Sequence, residues 1–160
     1  MPVDPEALRA VMRHWTTGVA IVSARDGAQV HGMTVNSFTS VSLEPPLVLV
    51  CIERAVRTHA LIERSRAFAV SILCEGQQPI SDRFAGRESE NGSRFDGLKT
   101  FTVVTGAPIL AENIGSLDCA VVAAHPAGTH TIFVAEVVAA KVQNSGQPLL
   151  YFDRDYHSLI

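Results

Sequence analysis

Residues 32–51 read GMTVNSFTSVSLEPPLVLVC. Hydroxyl and amide side chains (Thr34, Asn36, Ser37, Thr39, Ser40, Ser42) stand among apolar residues, and the run stops at Pro45-Pro46. Proline lacks an N–H and fixes its own φ, so the pair ends one element before another begins. Leu47 to Glu53 follows as an almost unbroken apolar run of strand length. The spacing therefore reads as two buried strands joined by a hydroxyl-rich connection. Such a place suits a polar, planar ligand: hydroxyls and backbone N–H groups supply hydrogen bonds, and the strands supply apolar walls.

Upstream, Asp4-Pro5-Glu6 is a helix start, with Asp4 as cap, Pro5 at the first helical position and Glu6 at the positive end of the dipole. Leu8, Val11, Met12 and Trp15 recur at helical spacing, and Gly18 is the expected end of that helix. Val19 to Ala24 and Gln29 to Val35 flank the turn Arg25-Asp26-Gly27-Ala28, the pattern of an antiparallel hairpin. Downstream, Thr58 to Arg64 predicts a short helix capped by Thr58, Phe68 to Leu73 a strand, and Gln77 to Phe84 another short helix. Gly86 to Gly97 is polar and reads as a surface loop, with a mobile flap as the alternative. Strand-like runs follow at Phe101 to Thr105, Leu117 to Ala124, Thr131 to Val142 and Pro148 to Phe152. Strands that succeed one another through short turns, without βαβ alternation, predict a mainly β fold: an antiparallel barrel or sandwich with a few peripheral helices.

The chain has 160 residues, 47% hydrophobic and 18% charged, which fits a single domain spanning 1–160 with a well-packed core. A formal net charge of −3 and the lack of a basic stripe argue against nucleic acid. The apolar runs are strand-sized, short of the ~20 residues that cross a bilayer, and the N-terminus lacks the order of a secretion signal. Cys51, Cys74 and Cys119 are an odd number without CxxC spacing, so neither disulfides nor zinc are expected, and a cytoplasmic setting is. No histidine spacing suggests another metal. The glycine pattern of a dinucleotide-binding βαβ unit is missing, so any nicotinamide cofactor is held by other means.

Five stretches, in order, resemble the flavin reductase family whose fold is the FMN-binding split barrel. They are Trp15 to Val22, Gly32 to Val48, Arg83-Phe84-Ala85, Thr129 to Val137, and Pro148 to Phe152 with Tyr156 beyond. The resemblance implies a reductase component of a two-component flavin-dependent monooxygenase. It would take hydride from NADH, or NADPH, to FMN or FAD and pass reduced flavin to a partner oxygenase. It further implies a homodimer.

Carried over residue by residue, the resemblance implies that Thr34, Val35, Asn36 and Ser37 line the flavin ring, with Cys51, Ile52 and Glu53 beneath it through backbone contacts. Ser40, Val41 and Ser42, with Arg57 and Thr58 at a helix start, are the expected phosphate grip. Phe84 is expected to stack on or shield one end of the flavin. His130 and Tyr156 are expected to seat the nicotinamide as positioning residues, because direct hydride transfer needs ring stacking rather than an acid or base. Three other readings stay open. One is a protein of this fold that keeps its flavin and reduces an organic substrate or a cobalamin-type cofactor, another a non-catalytic flavin-binding or sensing module, and the third an unrelated small β-barrel interaction domain.

Overall fold

The computed structural model describes residues 1–143 and 146–160. Seven strands form one antiparallel sheet in the spatial order β3 (Gln29–Val35), β2 (Ala20–Asp26), β6 (Ala67–Ile72), β9 (Gly115–Ala127), β10 (His130–Val142), β5 (Pro46–Glu53) and β4 (Phe38–Leu43). A ribbon of β1 (Thr17–Gly18), β11 (Leu150–Phe152) and β12 (Asp155–His157) lies apart from it, as does the pair β7 (Thr100–Phe101) and β8 (Ile109–Leu110). Helices α1 (Pro5–Met12), α2 (Arg57–Ser65) and α3 (Gln78–Phe84) fill the connections. The mainly β, antiparallel architecture is the expected one.

β2 organises the interior because both of its faces are buried, which is why its sequence is continuously apolar at the start. Side chains alternate across a strand, so Ala20, Val22 and Ala24 join Val50, Ile52, Phe68, Val70 and Phe133 in one core. Ile21, with Val19 just ahead of the strand, joins Leu73, Phe84, Leu110 and Leu149 in a second. Leu61 and Ile62 of α2 enter the first core.

Four local expectations are corrected. The hydroxyl-rich run is itself a strand, β4, paired only with β5 at the edge of the sheet. Its side chains are mostly exposed on both faces, so it lacks the in–out alternation that marks a strand. α1 ends at Met12, not Gly18: the His14 and Trp15 N–H groups bond back to the Val11 and Met12 carbonyls, a tight turn that leads into β1. The strand from Phe101 to Thr105 stops at Phe101, because the buried Asp118 carboxylate captures the Val104 and Thr105 N–H groups at 2.7 and 2.9 Å. Thr58 does not cap α2. Val56 holds that position without a side-chain cap, and the buried Thr58 hydroxyl pairs with His31 Nδ1 at 2.8 Å.

The 86–97 segment is exposed yet anchored. Arg94 donates to the Gly32 and Phe84 carbonyls at 3.0 and 2.8 Å and pairs with Glu90, which lies 3.8 Å from His31 Nε2.

Candidate functional site

β3 delivers Thr34 and Val35 to its end, and the chain then steps through Asn36 and Ser37 into β4. The Thr34 hydroxyl donates to the Ser81 carbonyl at 2.6 Å, which ties the strand to α3. The Ser37 hydroxyl donates to the Cys51 carbonyl at 2.8 Å, which ties the step to β5. Each hydroxyl has one proton, so both have committed it within the protein and offer a ligand acceptor lone pairs only.

Against these residues lies an open groove of about 680 Å³. Its walls come from the end of α1 and the turn after it (Met12, Trp15, Thr17), from Val35, Asn36, Ser37 and Thr39, and from Leu49 and Cys51 of β5. The volume falls in the roughly 300–1,000 Å³ range of small-molecule sites. Thr17 Oγ1 is buried and has no hydrogen-bond partner among the described residues. A buried hydroxyl left unpaired is costly, so this groove has both the shape and a waiting polar contact for the edge of a planar heterocycle. The residues present fit a flavin ring.

Two smaller hollows adjoin. One of about 170 Å³ is lined by Thr34, Asn36, Ser81, Arg87, Tyr151 and Tyr156, among others. There the Tyr156 hydroxyl lies 2.8 Å from both Ser81 Oγ and Asp82 Oδ1. Burial, reinforced by the Asp82 carboxylate, holds its pKa above the usual tyrosine value, so it stays protonated and donating. The other, of about 230 Å³, lies between α1 and the β11–β12 turn. Asn36 lines all three spaces.

Of the residues singled out in the sequence, Val35, Asn36, Ser37 and Cys51 meet in the groove, while Thr34 and Tyr156 meet in the 170 Å³ hollow beside it. The Cys51 thiol is pushed up by burial and stays neutral. His130 does not line the groove, but it shares a face with it. It pairs with Glu53 across β10 and β5, and residues 51 and 53 point to the same side of the strand. The exposed His130 ring bonds through Nδ1 to Thr129 Oγ1 at 2.9 Å. Ile52 points the other way, into the core, leaving only its backbone for a ligand.

The expected phosphate grip is not brought together. Ser40 pairs with Val48, whose side chain faces the core, so Ser40 stands on the face opposite Leu49 and Cys51. Val41 sits in the bulge that follows, and Ser42 Oγ accepts the Glu44 N–H at 3.2 Å. Arg57 is exposed on α2, away from the groove lining, and the Thr58 hydroxyl is buried on His31. Phe84 is wholly buried, edge-on to Phe95 at 4.9 Å, so its ring is core and does not stack on a ligand. Thr17, Met12, Trp15 and Tyr151 were not singled out. The signal available for two of them was the helical spacing of Met12 and Trp15; α1 ends at Met12 and buries none of its own residues, which leaves both side chains to wall the groove.

Known proteins resemble this chain over nearly its whole length. The chain is 39% identical over 160 residues to the NADH-dependent flavin reductase of a Rhodococcus species, covering 98% of this chain and 88% of that one. It is 36% identical over 155 residues to the reductase component of 4-hydroxyphenylacetate 3-monooxygenase from Thermus thermophilus, covering 97% of each. Among solved structures, the NADH:FAD oxidoreductase SgcE6 of Streptomyces globisporus, in complex with NAD and FAD fragments, superposes with a TM-score of 0.89 at 34% identity, covering 100% of this chain and 97% of that one. The family described as "Flavin reductase like domain" matches residues 12–159, so nearly the whole chain, ring groove included, belongs to that family.

Proposed function

We propose that this protein is an NADH-dependent flavin reductase that reduces FMN or FAD and supplies reduced flavin to a partner monooxygenase. One observation carries the reading: an open groove walled by Val35, Asn36, Ser37 and Cys51, with a smaller hollow holding Tyr156 joined to it through Asn36. A flavin bound there supplies a two-electron acceptor for the hydride of a dihydronicotinamide. The chain's own contribution is placement. Asn36, Ser37 and Thr17 meet the polar edge of the ring, Leu49 and Cys51 wall it, and Tyr156, held by Ser81 and Asp82, seats the second ring. His130, on the same sheet face as Cys51, closes the far end.

The homodimer is part of this proposal. Leu8, Val11 and Met12 of α1 and Trp15 just beyond it are all more than half exposed, and Leu43 on the free edge of β4 is 90% exposed. A second copy would cover this apolar surface, and sedimentation would show a dimer. Three free thiols suit the reducing cytoplasm, and among the described residues no helix is long and apolar enough to cross a membrane.

The test is NADH oxidation, followed by its absorbance, with FMN, FAD and riboflavin added in turn and NADPH as the alternative donor. Many turnovers of added flavin are expected. A preparation that retains flavin through gel filtration and oxidises NADH only with an organic acceptor would point to the tightly held flavin. Flavin binding without oxidation would point to a sensor.

A further inference from the structure

The 230 Å³ hollow beside the ring groove has a polar wall of arginine: Arg9 and Arg13 from α1 and its end, and Arg154 from the turn between β11 and β12. Met12, Trp15 and Tyr151 form its apolar side. Arg9 and Arg13 are four residues apart, so they lie on one face of the helix. The turn is held against that helix end. The Asp153 N–H donates to the Arg13 carbonyl at 2.9 Å, and the His14 and Phe152 rings meet edge-on at 5.9 Å.

One feature of the wall is unexplained by folding alone. Arg13 Nε is buried without a hydrogen-bond partner among the described residues. A charged donor removed from water is costly until an acceptor meets it. Asp153 and Arg154, with φ of 48° and 67°, are the two central residues of the β11–β12 hairpin, where such values are the ordinary turn geometry. The turn sets a third cation, Arg154, beside the hollow that Arg9 and Arg13 line. Against these, Arg9 also pairs with Glu6, and the Asp153 carboxylate lines the same space. Cations still outnumber carboxylates on the wall by three to one.

Guanidinium groups lining a small hollow match the oxygens of a phosphate ester better than any carboxylate or neutral group of that size. The hollow shares Met12, Trp15 and Asn36 with the ring groove, and Asn36 and Tyr151 with the hollow of Tyr156. The three spaces therefore share walls, as a ligand with an anionic centre and a ring beside it would need. We propose that this arginine-lined hollow binds the diphosphate of a dinucleotide, the group that NADH and FAD share and FMN lacks. The assignment rests on the reductase reading above, and it gives that activity an anion site separate from Ser40, Ser42 and Arg57.

The test uses Arg13→Gln, Arg154→Gly and the double variant in the full chain. Glycine adopts the left-handed φ of Arg154 freely, so the thermal stability of Arg154→Gly is expected to match or exceed that of the wild type. Calorimetry with inorganic pyrophosphate reads the hollow without turnover. Each single variant is expected to weaken binding by about 3–10-fold, and the double variant by more than either. Kinetics then separate the sources. If the hollow takes NADH, KM for NADH rises by a similar factor with FMN as acceptor, by more than kcat falls. If it takes FAD, the Kd of FAD rises while that of FMN does not. Pyrophosphate binding that is absent from the wild type, or equal in wild type and double variant, overturns the proposal. So do an unchanged KM for NADH and an unchanged Kd for FAD in the double variant. If no flavin supports NADH oxidation, the reductase reading fails, and calorimetry still decides the hollow.

Discussion

Phe84 separates two accounts of this protein, because the resemblance would have it stack on flavin and the structure puts it in the core. Its ring is fully buried among Val19, Ile21, Leu73, Leu110 and Leu149, edge-on to Phe95. Truncating such a ring removes its burial and leaves a cavity, so Phe84→Ala should cost about 3–5 kcal/mol. That is a large part of the roughly 5–15 kcal/mol that holds a typical domain folded. At ~2–4 °C per kcal/mol for a chain of this length, the melting temperature should fall by about 6–20 °C.

The structure also supplies a partner for a double-mutant cycle. A methyl group added at Gly32 would sit 2.9 and 3.1 Å from two atoms of the Phe84 ring and 3.0 Å from the tip of Phe95. Gly32→Ala alone should therefore cost about 1–3 kcal/mol by overpacking. With Phe84 cut to alanine, two of those three clashes disappear and Phe95 has a cavity to move into. The double variant should be less destabilised than the sum of the singles, by about 1–2 kcal/mol. Urea unfolding measures all four corners. Phe84→Leu, which keeps most of the volume, should retain flavin affinity within about twofold, since no ligand contact is lost. A Phe84→Leu protein that melts like the wild type but has lost its flavin would refute the core assignment, as would strict additivity with Gly32→Ala.

Burial, with help from the Arg94 and Arg57 charges and against the pull of Glu90, holds His31 below the usual histidine value. The unfolded chain then binds more protons than the folded one just below that value, so stability contributed by His31 is lost as pH falls through it. Between about pH 7.5 and 5.5 the melting temperature of the wild type should drop more steeply than that of His31→Asn; parallel slopes would show that His31 is not the sensor. Asp118 is fully buried and accepts from the Val104 and Thr105 N–H groups and the Thr105 hydroxyl. Asp118→Ala should cost about 2–4 kcal/mol in urea unfolding, discounted because Val104 is exposed enough for water to replace one bond; a loss near zero would mean water replaces them all. Burial, with the Asp118 charge, pushes the Cys119 thiol up to about 12, so it should resist alkylation at mildly alkaline pH until denaturant is added. Cys51, half-buried in the groove, should label slowly and be protected by FMN; labelling indifferent to FMN would place the flavin elsewhere.

The hairpin of β2 and β3 and the strand β5 were legible because both depend on local pattern: a turn at Gly27-Ala28 and runs of apolar residues set by two-sided or one-sided burial. β4 was not, because an edge strand exposed on both faces has no alternation to read, and its serines and threonines suit a turn equally well. Residue type also cannot say which way a side chain points. Phe84 and Thr58 had the right chemistry for a ligand, yet α3 turns one into the core and α2 seats the other on His31. The arginine hollow was out of reach for a different reason. Its two walls are separated by some 140 positions in sequence, and tertiary contacts bring them together: the bond from Asp153 N–H to the Arg13 carbonyl, the meeting of the His14 and Phe152 rings, and the pairing of β1 with β11.

The groove's hydrogen bonding bears on how firmly a flavin can be held. Thr34 and Ser37, which in sequence look like donors to the ring, have each given their proton to a backbone carbonyl. Thr17 is the buried hydroxyl in the wall left without a partner among the described residues. Holding a ring chiefly by apolar contact with Leu49, Val35 and Cys51, on the outer face of a sheet, gives modest affinity and an unobstructed exit. A reductase that must release its product needs that weakness. Directional, charged contact is left to the arginine hollow, where it would act on a diphosphate and not on the ring. Binding strength and ring placement are thereby assigned to different residues, with Asn36 the one side chain that touches every space.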